Sequence, residues 1–462
     1  MSLRADLAAR ATSRGAAPSV GGNAPRVALI GGGIGGLASA HFLLDAGVVP
    51  VVLESSDQLG GLGTHFEHEG VTLDRFYHVI LDSDAELCGL IDELGHADRL
   101  VWRETGMGFL VDGRLYGFNT PADLLRFGAL SPIDRVRTGL GALYITKLKR
   151  NALDLDDVRA CDWLPKLFGP RVFARIWEPL LRAKFGDLRT GVPAYWVWNT
   201  LNREKHGGQE VKGYLRGGYR FLADELARSI VARGGEVRLR QPVSAVDVDG
   251  TQAIVETASG PERFDAAIST LPLPVLKRVA RGALTGAVPL PELQYQGVVN
   301  VVVLSRRRLE RFYWTAVVDP SFPFQGVVET THVIPTEWTG GHHLYYLMNY
   351  CGADTDTYAR PDDLLKRQAV EGLARLYPGF RSEDVAAVYV FRAPHVEPAW
   401  TLGYLKRRPG PRIAGTPLYV CTTAQAYPRV TAWNTSVALA RETVAALVED
   451  MGERPARATA PR

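Results

Sequence analysis

Gly31-x-Gly33-x-x-Gly36 follows the apolar run Val27-Ala28-Leu29-Ile30 without a gap, and Glu54 stands eighteen residues beyond Gly36. Glycine at those three positions permits a tight strand-to-helix turn, a close approach of pyrophosphate to backbone, and close packing of helix on strand. A helix over roughly residues 34–46 would then aim its amino end and positive dipole at the phosphates. The next apolar run, "VVPVVLE", ends in Glu54, a carboxylate placed to accept both hydroxyls of an adenosine ribose and to disfavour a 2′-phosphate. The chemistry this set serves is dinucleotide binding.

After Glu54 and five intervening residues comes a second glycine pair, Gly60-Gly61. An NAD site has no need of it, whereas a flavin dinucleotide does, because its ribityl chain and ring pass over backbone on the way to a substrate. With "VALIGGGIGG" followed by Glu-x5-Gly-Gly, the sequence resembles the superfamily of FAD-dependent amine oxidases, protoporphyrinogen oxidases and phytoene desaturases, and within it a bacterial NAD(P)/FAD-dependent oxidoreductase subgroup. Residues 213–250 and "PLYVCTTAQAYPRVTAWNTSVALARETVAALV" extend the resemblance to nearly the whole chain, from about residue 25 to about residue 450. It implies FAD held by Gly31, Gly33, Ile34, Gly35 and Gly36, by Glu54 and Ser55, and by Gly60, Gly61 and Leu62. It further implies that the backbone of Val243 meets the adenine and that Ser269 and Thr270, in "FDAAISTLPLPVL", return to the cofactor. Tyr427, Trp433, Asn434 and Thr435 belong to the closing segment beneath the flavin, where the backbone of Asn434 and Thr435 opens a helix towards the N1 and O2 side of the ring. Leu62 stands where many relatives carry Arg or Lys, and "CTTAQAYP" replaces a usual Gly-Asp.

For the reaction itself the ionisable candidates are His78 in "DRFYHVI" and His395 in "FRAPHVEP", since histidine suits removal of a proton while hydride leaves a carbon. Tyr77 and Tyr350 are candidate catalytic aromatics, alongside Trp314 and Tyr346 as possible walls of a substrate site, while Asp74, Arg75 and Arg392 offer charge. No second Gly-x-Gly-x-x-Gly is present for a nicotinamide, so electrons would leave to oxygen, to another acceptor or back to the substrate. The expected activity is that of an FAD-dependent oxidoreductase. It would take a hydride from a C–H next to an alcohol or amine, or desaturate a C–C bond, on a medium-sized, sugar-like or natural-product substrate. Two alternatives stand beside it. One is a redox-neutral flavoenzyme resembling the UDP-galactopyranose mutases, with Arg75, Arg182, Lys184 and Arg392 as a diphosphate clamp. The other is a non-enzymatic binding protein of the GDP-dissociation-inhibitor type, against which the retained Glu54 and both glycine motifs count.

The elements that must position these residues define an α/β fold. Rossmann-type stretches at 25–105, 210–280 and 410–450 predict an FAD-binding domain with a parallel sheet assembled from three segments. The intervening 106–209, helical in pattern, and 281–409, with strand-like runs such as "GVVNVVVLS" and "HHLYYLMNY", predict an α+β substrate domain whose antiparallel sheet roofs the flavin. Residues 1–24 and 451–462 read as disordered tails.

A chain of 462 residues with 46% apolar content can bury a large core, and a net charge of +3 with both signs interspersed gives no footprint for nucleic acid. Four scattered cysteines without a CxxC fit reduced thiols in a cytoplasm, and the histidines lack the spacing of a metal site. No run suits a membrane span. The basic, amphipathic stretch 123–150 reads as a lid helix with an apolar underside, weak peripheral membrane contact being its alternative. The partner implied is a small-molecule substrate; oligomeric state is not encoded legibly.

Overall fold

The computed structural model describes residues 24–203, 210–287, 290–309 and 311–453, so nearly all of both expected tails lies outside the described residues. Five short strands form a wholly parallel sheet in the order Glu236–Arg238, Val49–Leu53, Arg26–Ile30, Ala266–Ser269, Leu418–Val420. Its strands come from three separated stretches of chain, as the spacing of the motifs predicts. Val27, Val51, Val52, Ala267 and Leu418 have no exposure at all, because helices cover one face and a small antiparallel sheet of Ala245–Asp249, Gln252–Thr257 and Gly260–Phe264 covers the other, and β-branched runs suit strands buried on two sides. On one face the helices Ile34–Asp45, Gly218–Ala232 and Trp433–Glu453 pack together, the first touching both of the others.

A second sheet of seven strands has the order Val385–Pro398, Tyr295–Ser305, His343–Cys351, Gly326–Glu329, Trp314–Val317, Met107–Val111, Arg114–Gly117. Every pairing in it is antiparallel except that of Trp314–Val317 with Met107–Val111. All of Tyr295–Ser305 is buried, with the strand alternation dividing its side chains between two cores. Val298, Val302 and Leu304 join Tyr346 and Met348 on the side shared with the parallel sheet's helices. Val299, Val301 and Val303 meet Leu365, Ala369 and Leu373 of the helix Asp362–Leu376.

Two expectations for residues 106–209 need correction. The stretch is not purely helical: Met107–Val111 and Arg114–Gly117 form a hairpin at the sheet's edge, turned by Asp112 and Gly113 with φ of 50° and 70°. An Asp-Gly pair at positive φ is what a two-residue hairpin turn requires. The helix Pro132–Leu143 also lies the other way up. It buries Asp134, Thr138 and Gly141 and exposes Ile133, Val136, Leu140 and Leu143. The inward face is small and satisfied: Ser131 and Arg171 hold the Asp134 carboxylate, Thr138 bonds back to the Asp134 carbonyl, and Gly141 leaves room for the Phe168 ring.

Candidate functional site

The first glycine loop leaves Arg26–Ile30 through Gly31 at φ 111° and enters Ile34–Asp45 at Gly33. No side chain caps that helix and its first turn holds no acid, so its orphan amides are left for an anion from outside. A Cβ on Gly36 would collide with the Gly31 carbonyl oxygen, which makes Gly36 a packing glycine. A Cβ on Gly33 would rest in ordinary contact with Gly61, its Cα at 3.8 Å, so the fold itself does not demand glycine there. Gly35 and Ile34 are buried in the same first turn.

The two glycine motifs touch. Gly60 donates to the Gly32 carbonyl at 2.8 Å and pairs with Gly33, and Gly60 and Gly61 both take positive φ. Glu54 accepts from the Gly32 amide at 2.7 Å and from Ser56 at 2.9 Å, with the exposed Ser55 hydroxyl on the same carboxylate. The segment leading to Val243 runs alongside, through Arg240 on the Ser56 carbonyl and Gln241 on that of Glu54. An uncapped helix end, a glycine at Gly33 that the fold does not require and a carboxylate flanked by the Val243 segment together fit the pyrophosphate and adenosine of a dinucleotide. Ser269 and Thr270 act on the frame: the Thr270 hydroxyl donates to the Ile30 carbonyl at 2.9 Å, and Ser269 is fully buried.

Beyond Gly61 the chain passes Leu62, half-buried against the core, and Gly63, whose Cα is covered by the Trp433 ring. Trp433 stacks edge-on against Tyr219 at 4.5 Å between centroids, and His78 lies 4.5 Å from Tyr219 and 5.8 Å from Trp433. His78 Nδ1 pairs with the Phe76 carbonyl at 2.9 Å, which makes Nδ1 the protonated nitrogen and leaves Nε2 as the acceptor. Burial lowers its pKa to about 4, so the ring is neutral at neutral pH. Asn434 caps another helix by accepting from the Leu87 amide at 3.0 Å, and Thr435 bonds back to Val430 at 2.8 Å. Only the backbone of those two residues is left to face a cofactor. Tyr427 is fully buried, its hydroxyl on Asp156, away from the His78 group.

The segment Asp74–His78 is tied to the antiparallel sheet at three points. The Tyr346 hydroxyl donates to the Asp74 carbonyl at 2.8 Å, Asn300 donates to the Arg75 carbonyl at 2.7 Å, and the Tyr77 and Tyr350 hydroxyls meet at 3.1 Å. Asp74 itself accepts from Tyr214, and burial raises its carboxyl to about 7. Burial also lifts Tyr350 to about 12 and Tyr77 well above the ordinary range, so both hydroxyls stay protonated.

Against this tyrosine pair sits Lys184, which the sequence offers only as part of a diphosphate clamp, together with Glu397, which the sequence does not single out. Lys184 lies 5.3 Å from the Tyr350 ring centre and 3.3 Å from Glu397, which is 3% exposed and whose Oε1 has no hydrogen-bond partner. Burial raises the Glu397 carboxyl, with Lys184 opposing the shift. Glu397 is two residues from His395, yet His395 turns to Tyr295, centroids 5.5 Å apart, and its pKa is lowered by burial and by Arg278. The structure pairs Tyr77 with Tyr350, sets His78 against Tyr219 and Trp433, and sets His395 on a separate ring contact with Tyr295. The four cations of an expected diphosphate clamp each have a partner of their own: Arg182 on Glu178 at 2.6 Å, Arg392 on Asp362 at 2.7 Å, Lys184 on Glu397, and Arg75 over the Phe391 ring at 5.5 Å.

Comparison with known proteins agrees with this geometry. Residues 34–413 match the family described as flavin containing amine oxidoreductase. The 15-cis-phytoene desaturase of Synechococcus elongatus is 28% identical over 316 residues, 62% of this chain and 66% of that protein, so the match spans slightly less than two thirds of the relative's own length. A solved structure provisionally assigned as a protoporphyrinogen oxidase, from Exiguobacterium sp. 255-15, superposes with a TM-score of 0.74 at 19% identity, covering 93% of this chain and all of that one. Reduced UDP-galactopyranose mutase superposes with a TM-score of 0.72 at 17% identity over 93% of this chain and 94% of its own. At these identities the two structural likenesses are likenesses of fold.

Proposed function

Because the chain belongs to the family of flavin-containing amine oxidoreductases, we propose that it is an FAD-dependent oxidoreductase that removes a hydride from a C–H next to an alcohol or amine, or desaturates a C–C bond, on a medium-sized substrate. The observation that carries this reading is the contact of the two glycine loops beside Glu54, at an uncapped helix amino end. Bound FAD supplies the hydride acceptor; the chain supplies position, electrostatics and exclusion of water.

Neutral His78 accepts a proton at Nε2 while its Nδ1–H stays on the Phe76 carbonyl, which fixes the tautomer throughout. Tyr77 and Tyr350, held protonated by burial, orient a polar group of the substrate. The unpartnered Oε1 of Glu397 accepts an O–H or N–H from that group. Trp433 and Tyr219 close the side towards the helices. A redox-neutral mutase reading is the weaker one, since it needs cations free to clamp a diphosphate and each of the four candidates is engaged by a partner of its own.

Anaerobic mixing of the flavin-loaded protein with primary amines, secondary alcohols and polyene hydrocarbons tests the reading. One class should bleach the flavin rapidly and saturably, and NADH or NADPH only slowly. His78→Asn should slow that reduction by roughly a hundredfold with FAD still bound, while His395→Asn serves as the comparison. Turnover that appears only after dithionite reduction, with no net change in flavin state, would contradict it.

A further inference from the structure

We infer, resting on the oxidoreductase reading above, that the substrate presents neighbouring, uncharged hydroxyl groups to Lys184, Glu397 and Gln296. Gln296 and Glu397 stand opposite one another where Tyr295–Ser305 pairs with Val385–Pro398, so their side chains leave the sheet on the same face. They are 5% and 3% exposed. The Gln296 amide nitrogen donates to the Phe185 carbonyl at 2.6 Å, which leaves its Oε1 as an acceptor. That atom, like Glu397 Oε1, has no hydrogen-bond partner, so two buried acceptors on one face lack a donor. Lys184, next to Phe185 in the chain, brings its ammonium within 3.3 Å of Glu397 and lies 5.3 Å and 5.5 Å from the ring centres of Tyr350 and Trp196. Its ion pair with Glu397 is the only one it makes among the described residues, so it keeps N–H groups to donate. Lys184, Tyr77 and Tyr350 are partly exposed beside these buried atoms, which makes the cluster reachable from outside. Thr431 adjoins Glu397, two residues before Trp433 at the second glycine loop, which sets the cluster on the flavin side of the fold.

Unmet acceptors beside a donating cation choose among the substrate classes. A hydroxyl both gives and takes: one O–H gives its hydrogen to Glu397 Oε1 while its oxygen takes one from Lys184, and a second on the adjoining carbon reaches Gln296 Oε1. An alkylammonium would fill the two acceptors too. It would also set a second cation beside Lys184, with one carboxylate to serve both, in buried surroundings where like charges are poorly screened. A polyene fills neither acceptor and covers the ammonium with hydrocarbon. The protonated hydroxyls of Tyr77 and Tyr350, 3.1 Å apart, add hydrogen-bonding capacity without adding charge.

Ligand-observed NMR titration of the purified full chain at neutral pH, without oxygen, tests this with trans-cyclohexane-1,2-diol, cyclohexylamine and cyclohexene. The three probes share a ring and differ in the groups they offer. The diol should bind roughly tenfold more tightly than either of the others. Lys184→Gln frees the Glu397 carboxylate of its cation and should reverse the order of diol and amine. The double variant Lys184→Gln, Glu397→Gln, a neutral pair of similar volume, should bind those two within about threefold of each other. A lysine that only supported the fold would weaken all three probes alike. Preference of the parent for cyclohexylamine or cyclohexene, binding of none of the three, or an unchanged order in Lys184→Gln overturns the inference. If Lys184→Gln does not fold, an unchanged diol preference in the double variant overturns it. Flavin content is measured separately on the same samples: bound FAD without the diol preference leaves the oxidoreductase reading standing, and the diol preference with its reversal in a protein that cannot hold FAD keeps this site and removes that reading.

Discussion

His78 and Asp74 stand four residues apart and titrate in opposite senses. The folded protein holds His78 neutral down to about pH 4, whereas the unfolded chain takes up that proton from about pH 6.5. Its contribution to stability is present above pH 6.5 and lost as pH falls to 4, up to about 3 kcal/mol. Asp74 keeps its proton in the folded state up to about pH 7, against 3.8 for the free group. Its contribution is present below 3.8 and lost as pH rises through 7, up to about 4 kcal/mol. In the parent the two slopes oppose each other over the acid range. The Asp74→Asn variant should therefore gain stability relative to parent between pH 4 and pH 8, and His78→Asn should gain relative to parent as pH falls from 6.5 to 4. Urea unfolding at several pH values reads both differences, and two flat differences would contradict the burial argument.

The candidate site was legible in the sequence where chemistry is local and opaque where it is not. Gly31, Gly33, Gly36, Glu54, Gly60 and Gly61 carry their meaning in spacing, because each acts through its own backbone or a neighbouring turn. Glu397, Asn300 and Tyr219 carry none. They reach Lys184, the Arg75 carbonyl and His78 across 213, 225 and 141 residues of chain, through strand register that no local pattern records.

Elements show the same division. The parallel sheet follows from buried β-branched runs, and the hairpin at Asp112-Gly113 was readable from its turn pair although the surrounding stretch has a helical pattern. Periodicity in Pro132–Leu143 says which residues share a face, and it does not say which face turns inward; Asp134, held by Ser131 and Arg171, decides that. The helix Glu178–Phe185 and the strand Val385–Pro398 are joined through Lys184 and Glu397. Lys184→Met leaves a buried carboxylate without its cation and should cost about 2–4 kcal/mol, somewhat below a fully buried pair because Lys184 is partly exposed. Adding Glu397→Gln should restore most of the loss. Additive losses in the double variant, read by denaturant unfolding, would contradict a coupled pair.

At the scale of the molecule, the segment Asp74–His78 links the second glycine loop, through the Arg75 amide on the Thr64 carbonyl, to the antiparallel sheet, through Tyr346 and Asn300. A dinucleotide bound across the Gly31–Gly36 and Gly60–Gly63 loops binds only the folded chain, so added FAD should raise the unfolding temperature of flavin-free protein in a concentration-dependent way. Gly33→Val should abolish that rise with little change in the flavin-free baseline, since a Cβ there meets Gly61 only at ordinary contact distance. Gly36→Val should lower the baseline itself by forcing the Gly31 carbonyl aside.

The most direct measurement is to purify the parent and Gly33→Val side by side, denature each, and identify the flavin released. The account predicts stoichiometric FAD, and not FMN, from the parent, and none from Gly33→Val while its circular dichroism matches that of flavin-free parent. FMN from the parent, a parent that cannot be loaded with FAD, or a folded Gly33→Val that retains FAD would contradict it.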